Sequence, residues 1–379
     1  IEFSQRTLAI MRDTDTLSRL GGDEFVLLLN DLDNLEQCLE IVRRVLQVAS
    51  CGYDIAGEAV CVSASVGITI FPGDGVEPEL LLRHADQAMY IAKQTGRNRY
   101  FLFDPMEDEA ARTELADLQR LEQALLAGEF EMHYQPKVDM RGGIVTGAEA
   151  LIRWRHPERG LIQPGEFLPI TENNDFAITL GEWVINAALC QADHWHRQGL
   201  PLNISINIAA RHISLPDFTA RLAKLLSAYP ALPHGRIELE ILETAALSDT
   251  GHVSQVIESC RELGVSFALD DFGTGYSSLL YLKHLPAETL KIDQSFIRDM
   301  QDDAEDMAIV KGVIGLAQAF NRSVIAEGVE TIAHGDILLA LGCAHAQGYG
   351  ISRPMPPSEF ETWLSHWKTP ASWAISAEK

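Results

Sequence analysis

From about residue 118 the sequence alternates between short apolar segments of strand character and longer segments with helical periodicity. The helical patterns include 180–198, 254–263 and 307–320. The strand-like segments lie at 130–137, 144–154, 202–208, 236–242, 265–270, 288–292, 323–327 and 343–348. Eight strands with intervening helices over about 250 residues predict a (β/α)8 TIM-like barrel, in which reactive residues lie at the carboxyl ends of the strands.

The first hundred residues are organised differently. Residues 17–30 are typical of two short strands joined by a hairpin turn at 21–24. Helical patterns follow at 35–49 and 79–95, with one strand predicted over 59–71. We expect a partial α+β domain over 1–103, a helical linker over 104–117, the barrel over 118–368 and a tail over 369–379.

Composition narrows the class of protein. The net charge of −24 argues against binding to a nucleic-acid polymer, which needs an extended basic surface. A small phosphate ligand stays compatible with it, because metal ions and a few Arg or Lys side chains can reverse the local field. No apolar run approaches the ~18 residues that span a bilayer, and the six cysteines show no metal-ligand spacing. We therefore expect a cytoplasmic protein with reduced thiols.

The chain starts at Ile1 with neither an initiator Met nor a signal peptide. We expect it to be part of a longer protein, whose upstream region could carry a membrane or sensor segment.

An acidic pair, Asp270-Asp271, follows the apolar run 265–269 and precedes a glycine-rich turn. Adjacent carboxylates at the mouth of a strand repel each other unless something neutralises them, and a divalent cation is the usual solution. Other apolar segments contain or precede three more oxygen side chains, Glu149, Asn207 and Glu240. Such ligands suit Mg2+ or Mn2+ rather than zinc. Asp271 could bridge to a second ion, the arrangement that hydrolyses phosphodiesters.

Further polar residues occupy equivalent places in the predicted barrel. Lys291 and Glu327 offer a cation and an acid or base for an attacking water and a leaving oxygen. Arg153 shares a strand face with Glu149 and offers a planar fork for a phosphate oxygen. Gln347 can bond a base edge or a water. Each signal alone is weak, but their common position favours one site.

These residues lie in motifs that resemble those of the EAL domains, which hydrolyse cyclic di-GMP to the linear dinucleotide pGpG. The resemblance covers about residues 116–368. Its motifs are YQP at 134–136, EALIRW at 149–154, LEILE at 239–243, DDFGTGYSS at 270–278, LKID at 290–293, IAEGVE at 325–330 and QGY at 347–349.

The resemblance implies a role for each matching residue. The metal ligands would be Glu149, Asn207, Glu240, Asp270 and Asp271. Lys291 and Glu327 would serve the water and the second metal, and Glu243 would anchor the loop after Asp271. The substrate would meet Gln135, Arg153, Asp293 and Gln347. The resemblance also implies two Mg2+ or Mn2+ ions, inhibition by Ca2+, cyclic di-GMP as substrate and a homodimer formed through the EAL domain.

The amino-terminal part resembles the GGDEF diguanylate cyclase domain, through RLGGDEF at 19–25 and ADQAMY at 85–90. The resemblance implies that nucleotide and metal would be bound by Gly21, Gly22, Asp23, Glu24, Lys93 and Arg97. Arg12 and Asp15 have the spacing of the family's inhibitory RxxD site for cyclic di-GMP.

One motif of the GGDEF family is missing from this chain. Its first strand carries an aspartate, in a pattern like FDxDxFK, that supplies the other metal ligand, and nothing similar precedes Arg19. We therefore predict no cyclase activity for the chain, and expect its GGDEF-like domain to regulate by binding GTP or cyclic di-GMP or by dimerisation. Two alternatives stay open: a cyclic di-GMP receptor without turnover, and an intact parent protein that is both cyclase and phosphodiesterase.

Overall fold

The computed structural model describes residues 2–55, 58–60, 62–94, 96, 98–248, 250–274, 282–283 and 285–373. The chain divides into two compact units, Ile1–Arg120 and Leu121–Lys379. Among the described residues, no helix is both long enough and apolar enough to cross a membrane.

The amino-terminal unit combines helices with three two-stranded sheets. Its helices are α1 (Glu2–Leu8), α2 (Leu35–Ser50), α3 (Pro78–Gln94) and the start of α4 (Pro105–Ala127), which contains the division between the units. Its strands are β1 (Thr16–Gly21), β2 (Glu24–Leu28), β3 (Tyr53–Ile55), β4 (Glu58–Val60), β5 (Val66–Ile68) and β6 (Tyr100–Leu102). The sheets pair β1 with β2, β3 with β4 and β5 with β6.

Two local features explain this unit's main elements. The predicted hairpin is confirmed, and Gly22 at its turn has φ +52°, a conformation that suits glycine. Helix α2 begins where the Asn34 side chain accepts a hydrogen bond from the Gln37 amide at 3.0 Å, and it buries Ile41, Val42 and Val45. Val42 packs with Ile68 of β5 in a small apolar core.

The prediction of one strand over 59–71 was wrong. Residues 58–60 and 66–68 form separate strands, with 62–65 outside any strand. The reason is that the two ends have different partners, since β4 pairs antiparallel with β3 whereas β5 pairs parallel with β6.

The second unit is a closed barrel of eight strands, which confirms the predicted fold. Its strands are β7 (Phe130–Asp139), β8 (Ile144–His156), β10 (Asn203–Asn207), β11 (Ile237–Leu242), β12 (Val265–Phe272), β13 (Thr289–Ile292), β14 (Ser323–Ala326) and β15 (His345–Ala346). A short strand, β9 (Gly160–Ile162), pairs antiparallel with the end of β8 and is not part of the barrel. Pairing of β8 with β10 closes the ring.

One strand of the barrel runs against the others. Strand β7 is antiparallel to both β8 and β15, while the remaining barrel pairings are parallel. Only residues 140–143 connect β7 to β8, which is enough for a hairpin but far too short for a parallel crossover.

Helices follow most of the strands. They are α5 (Pro164–Thr171), α6 (Phe176–Arg197), α7 (Ala210–Ile213), α8 (Phe218–Leu226), α9 (Glu243–Ser248), α10 (Thr250–Glu262), α11 (Gln294–Asp299), α12 (Ala304–Ala319), α13 (Ile332–Leu341) and α14 (Pro357–His366). Helix α13 has a clear signal at each end. The Thr331 hydroxyl accepts a hydrogen bond from the His334 amide at 3.1 Å at its start, and Gly342, with φ +93°, ends it.

The start of the predicted tail packs against the barrel unit. Trp373 is buried, and its indole N–H donates to the carbonyl of Ile332 on α13 at 3.1 Å.

Candidate metal centre

Polar side chains meet at the carboxyl ends of the barrel's parallel strands. Glu240 of β11 lies in register beside Asn207, the last residue of β10. Asp270 belongs to β12 and Lys291 to β13, and Glu327 directly follows β14. Because parallel strands bring their carboxyl ends to one rim, residues far apart in sequence share one small space.

Lys291 is the centre of this group. Its side chain is fully buried, and its Nζ atom lies 2.5 Å from Glu240 Oε2, 2.7 Å from Glu327 Oε1 and 3.0 Å from Asp270 Oδ1. Glu149 Oε2 is 3.7 Å away. Burial alone would lower the pKa of Lys291, but these four carboxylates outweigh burial and raise its pKa well above the usual range. Lys291 is therefore a fixed cation.

Glu240 is held between two lysines. Lys137 Nζ lies 2.6 Å from Glu240 Oε1, while Lys291 engages Oε2. Burial would raise the pKa of the Glu240 carboxyl, but Lys137 and Lys291 overcome this and lower the pKa to about 2. Lys137 was not among the residues predicted from the sequence. A signal existed, because Glu131, His133, Gln135 and Lys137 alternate with other residues along β7 and so share one face.

Glu149 is positioned by two amide side chains. Asn207 Nδ2 donates to its Oε1 at 2.6 Å, and Gln347 Nε2 donates to its Oε2 at 2.6 Å. Burial raises the pKa of Glu149, with Lys291 acting in the opposite direction. Burial likewise raises the pKa of Glu327 well above its usual range. Such crowding of buried acids is costly unless positive charge compensates it.

The donor set fits divalent metal ions. Carboxylate oxygens of Glu149, Glu240 and Asp270 lie within 4.8 Å of one another, and so do those of Asp270, Asp271 and Glu327. All are hard oxygen donors of the kind that Mg2+ and Mn2+ prefer. Asp270 belongs to both groups, so it is the residue that could bridge two ions.

Asp271 has an unusual conformation and environment. Its φ is +53°, in the left-handed region that non-glycine residues rarely adopt. Burial, then Asp270 and Asp293, raise the pKa of Asp271 to about 6. Asp293 caps α11 by accepting a hydrogen bond from the Ser295 amide at 3.0 Å. Because it interacts with Asp271, the predicted substrate residue Asp293 is also a neighbour of the acidic pair.

The loop after the acidic pair is fixed by a buried acid. Glu243, the first residue of α9, accepts a hydrogen bond from the Gly273 amide at 3.0 Å. Gly273 has φ +104°, which suits glycine. Residues 275–281, which include the end of the DDFGTGYSS motif, lie outside the described part of the chain.

The predicted substrate residues lie at the same rim. Gln347 Nε2 also donates to Gln135 Oε1 at 2.9 Å, and Gln135 Nε2 donates to the carbonyl of Ser352 at 3.0 Å. The Oε1 atom of Gln347 is buried and has no hydrogen-bond partner among the described residues. Arg153 is buried, and its Nη1 donates to the Ile152 carbonyl at 2.9 Å.

In the amino-terminal unit, the predicted residues are mostly exposed. Gly21, Gly22, Asp23 and Glu24 form the hairpin turn, and Lys93 is exposed near the end of α3. Arg97 lies outside the described residues. Neither of the two compact acidic groups found in the described part of the chain belongs to this unit.

Arg12 and Asp15, the predicted inhibitory pair, are brought together by a local turn. The Arg12 amide donates to Asp15 Oδ2 at 2.9 Å. The Arg12 guanidinium donates instead to the carbonyl of Asp31 at 3.4 Å.

Comparison with known families finds two domains. The EAL domain model matches residues 118–354, and the model described as "Diguanylate cyclase, GGDEF domain" matches residues 1–99.

Curated relatives share this arrangement. The bifunctional diguanylate cyclase/cyclic di-GMP phosphodiesterase MucR of Pseudomonas aeruginosa is 40% identical over 95% of this chain and 52% of its own length. The cyclic di-GMP phosphodiesterase PdeR of Escherichia coli is 34% identical over 97% of this chain and 55% of its own length. The chain thus spans about half the length of the curated relatives that it matches.

Solved structures resemble the barrel unit. A structure described as "PaMucR Phosphodiesterase, c-di-GMP complex" is 40% identical, covers 65% of this chain and 99% of its own, and has a TM-score of 0.62. The EAL domain of Mycobacterium smegmatis DcpA is 35% identical, covers 64% of this chain and 100% of its own, and has a TM-score of 0.55.

Proposed function

Because this chain belongs to the EAL-domain family and carries a GGDEF domain before its EAL domain, we propose that it is a phosphodiesterase that hydrolyses cyclic di-GMP to pGpG. The single observation that carries the proposal is the cluster of four acidic side chains whose carboxylate oxygens lie 2.5–3.7 Å from the buried Lys291 ammonium. Relatives named as cyclic di-GMP phosphodiesterases and a related structure in complex with c-di-GMP support the same substrate.

We assign two metal ions to the two acidic groups. Glu149, Glu240 and Asp270 would hold one ion with the amide oxygen of Asn207, and Asp270, Asp271 and Glu327 would hold the second. Two such ions, when bound, would lower the pKa of a water and neutralise charge on the phosphodiester.

The chain's own groups account for the rest of the reaction. Lys291 keeps its proton, so it acts as a hydrogen-bond donor and a fixed positive charge rather than as a base. Glu327, 2.7 Å from Lys291, is the carboxylate placed to receive the proton of the attacking water. Lys291 then faces the charge that develops on the phosphate oxygens, where a preorganised cation has its largest effect.

We assign substrate binding to the residues beside this centre. Arg153 would pair with a phosphate oxygen. The buried Oε1 atom of Gln347 needs a donor, and a guanine N–H supplies one. Gln135 accepts a hydrogen bond from Gln347, and Asp293 interacts with the carboxyl group of Asp271.

For the amino-terminal domain we propose a regulatory role, through GTP or cyclic di-GMP, together with a homodimer formed by EAL domains. A second candidate, a bifunctional parent protein, is favoured by the name of the MucR relative.

The test is to incubate the chain with cyclic di-GMP and Mg2+ and to separate the nucleotides by chromatography. We expect pGpG from the wild type and from Asp302→Asn, a control at an exposed aspartate. Asp270→Asn should reduce the rate by about 100-fold or more. Wild-type protein that binds cyclic di-GMP without producing pGpG would make the chain a receptor. Ca2+ in place of Mg2+ should support binding but little turnover, because it accepts looser coordination.

A further inference from the structure

We propose that Lys137 is a positioning residue, which holds Glu240 from inside the barrel in the orientation that a metal ion requires. The inference rests on the proposed metal site. It concerns a second lysine, distinct from Lys291, that contacts neither the acidic pair nor Glu327 by any described ion pair.

Lys137 is saturated with partners. Its ammonium group has three N–H donors, and three acceptors surround it: Glu240 Oε1 at 2.6 Å, Glu238 Oε1 at 3.1 Å and the hydroxyl of Ser205. Lys137 is 5% exposed and Glu240 is 0% exposed. Because every donor is used, the position of this ammonium is fixed.

The partners of Lys137 are themselves fixed. The Ser205 hydroxyl donates to Glu238 Oε1 at 2.7 Å, and the Thr289 hydroxyl donates to Glu238 Oε2 at 3.0 Å. We call Lys137, Ser205, Glu238 and Thr289 the polar floor. The floor therefore joins four strands below the metal centre.

The two lysines contact different oxygens of Glu240. Lys137 takes Oε1 of Glu240 and Lys291 takes Oε2. Lys291 lies among the candidate metal ligands, so a cation bound there would repel its ammonium group and compete for Glu240 Oε2. Lys137 lies on the floor and would keep its contact with Glu240 Oε1, so it would hold that oxygen in place. Residues that orient a metal ligand from behind usually affect metal affinity by 10–100-fold.

The alternative is that this buried ion pair only stabilises the fold. A charge-balanced variant separates the two roles. Lys137→Met with Glu238→Gln removes one positive and one negative charge, and the amide oxygen that the second substitution introduces can still accept from Thr289. Glu238→Gln alone is the matched control, because it retains the contact between Lys137 and Glu240.

The experiment measures Mn2+ binding to the full chain by the electron paramagnetic resonance signal of free Mn2+, beside kcat and KM for cyclic di-GMP. We expect the double variant to bind Mn2+ about 10–100-fold more weakly than the wild type, which has the same net charge, and also more weakly than Glu238→Gln. Its kcat should fall by a similar factor, with KM changed by less than about 3-fold, because the floor does not reach the substrate residues. A Kd within about 2-fold of the control would overturn the inference, because a merely structural role lowers the melting temperature and leaves the affinity of folded protein unchanged.

Two further arms keep the result decisive. If the double variant does not fold, Ser205→Ala replaces it, because this substitution removes one acceptor of Lys137 without removing a charge. An Mn2+ affinity of Ser205→Ala equal to that of the wild type would overturn the inference. A wild type that binds Mn2+ but does not hydrolyse cyclic di-GMP would contradict the proposed function alone. A wild type that binds no Mn2+ would overturn both proposals.

Discussion

The Nζ atom of Lys291 lies 2.7 Å from Oε1 of Glu327, and Lys291 is the only described lysine within ion-pair distance of that carboxylate. The same ammonium compensates Glu240 and Asp270, so removing it leaves buried carboxylates facing one another. We expect Lys291→Met to lower kcat by about 10²–10³-fold, the usual effect of losing a preorganised group that stabilises charge in the transition state. Breaking this buried network should also cost about 3–5 kcal/mol of unfolding free energy.

Mg2+ should offset that loss of stability. A cation that binds the folded state alone raises its stability, and it replaces the missing charge in Lys291→Met. We therefore expect Mg2+ at a saturating concentration to raise the melting temperature more in the variant than in the wild type. Lys311→Met, at an exposed position of α12, is the control. An equal Mg2+ effect in wild type and variant would contradict this account.

The hydrogen bond from the Gly273 amide to Glu243 leads to a second prediction. Glu243 is 1% exposed, so Glu243→Ala leaves a sheltered N–H without its acceptor, at a cost of about 1–3 kcal/mol. The loop that follows Asp271 should then exchange amide hydrogens faster at 272–274, and kcat should fall. Glu243→Gln retains an acceptor oxygen, so both the increase in amide exchange and the decrease in kcat should be much smaller. If the two variants were equally impaired, the charge of Glu243 rather than its hydrogen bond would be what matters.

Gly348 allows the segment after β15 to pack closely against the backbone of Val329. A Cβ atom at this position would lie 2.2 Å from the Val329 amide nitrogen, far inside van der Waals contact. Gly348→Ala must therefore shift the backbone next to Gln347, whose Nε2 donates to Glu149, and we expect a loss of about 1–3 kcal/mol in stability together with a raised KM. Gly312→Ala, where a Cβ meets open space on α12, should be neutral or slightly stabilising. Thermal unfolding and steady-state kinetics test both, and an unaffected KM in Gly348→Ala would argue against a substrate role for Gln347.

The barrel could be predicted from sequence because each strand is an apolar run bounded by turn residues, and the run lengths leave room for helices between them. Asp270 and Asn207 could be predicted as candidate site residues because they follow or end such runs. The antiparallel direction of β7 was also within reach, since the four residues 140–143 permit only a hairpin.

The polar floor could not be predicted from the sequence in the same way. Alternation along β7 places Lys137 on the interior face, but it does not say which carboxylate it meets. That depends on the register of β10 and β11 and on the closure of β8 against β10. The strand predicted over 59–71 failed for a related reason, because pairing partners rather than local propensity decided where it broke.

A last prediction concerns pH and a residue outside the metal centre. His212 is buried against Gly181 and Phe218, and its Nδ1 has no hydrogen-bond partner among the described residues. Burial lowers the pKa of His212, with Glu182 and Asp217 opposing and Arg221 reinforcing the shift. The unfolded chain then takes up this proton at a higher pH than the folded chain. Stability from His212 is therefore complete above about pH 6.5 and is lost as the pH falls, with a limiting slope of about 1.4 kcal/mol per pH unit.

Urea unfolding at pH 7.5 and 5.5, followed by tryptophan fluorescence, measures this loss in the barrel unit, because all six tryptophans lie within it. His212→Leu has no proton to bind at this position, so its stability should fall less than that of the wild type between the two pH values. Parallel losses in both proteins would assign the acid sensitivity to other groups. A smaller loss in the variant would mean that a neutral, buried imidazole makes the barrel sensitive to mild acid, independently of the carboxylates around Lys291.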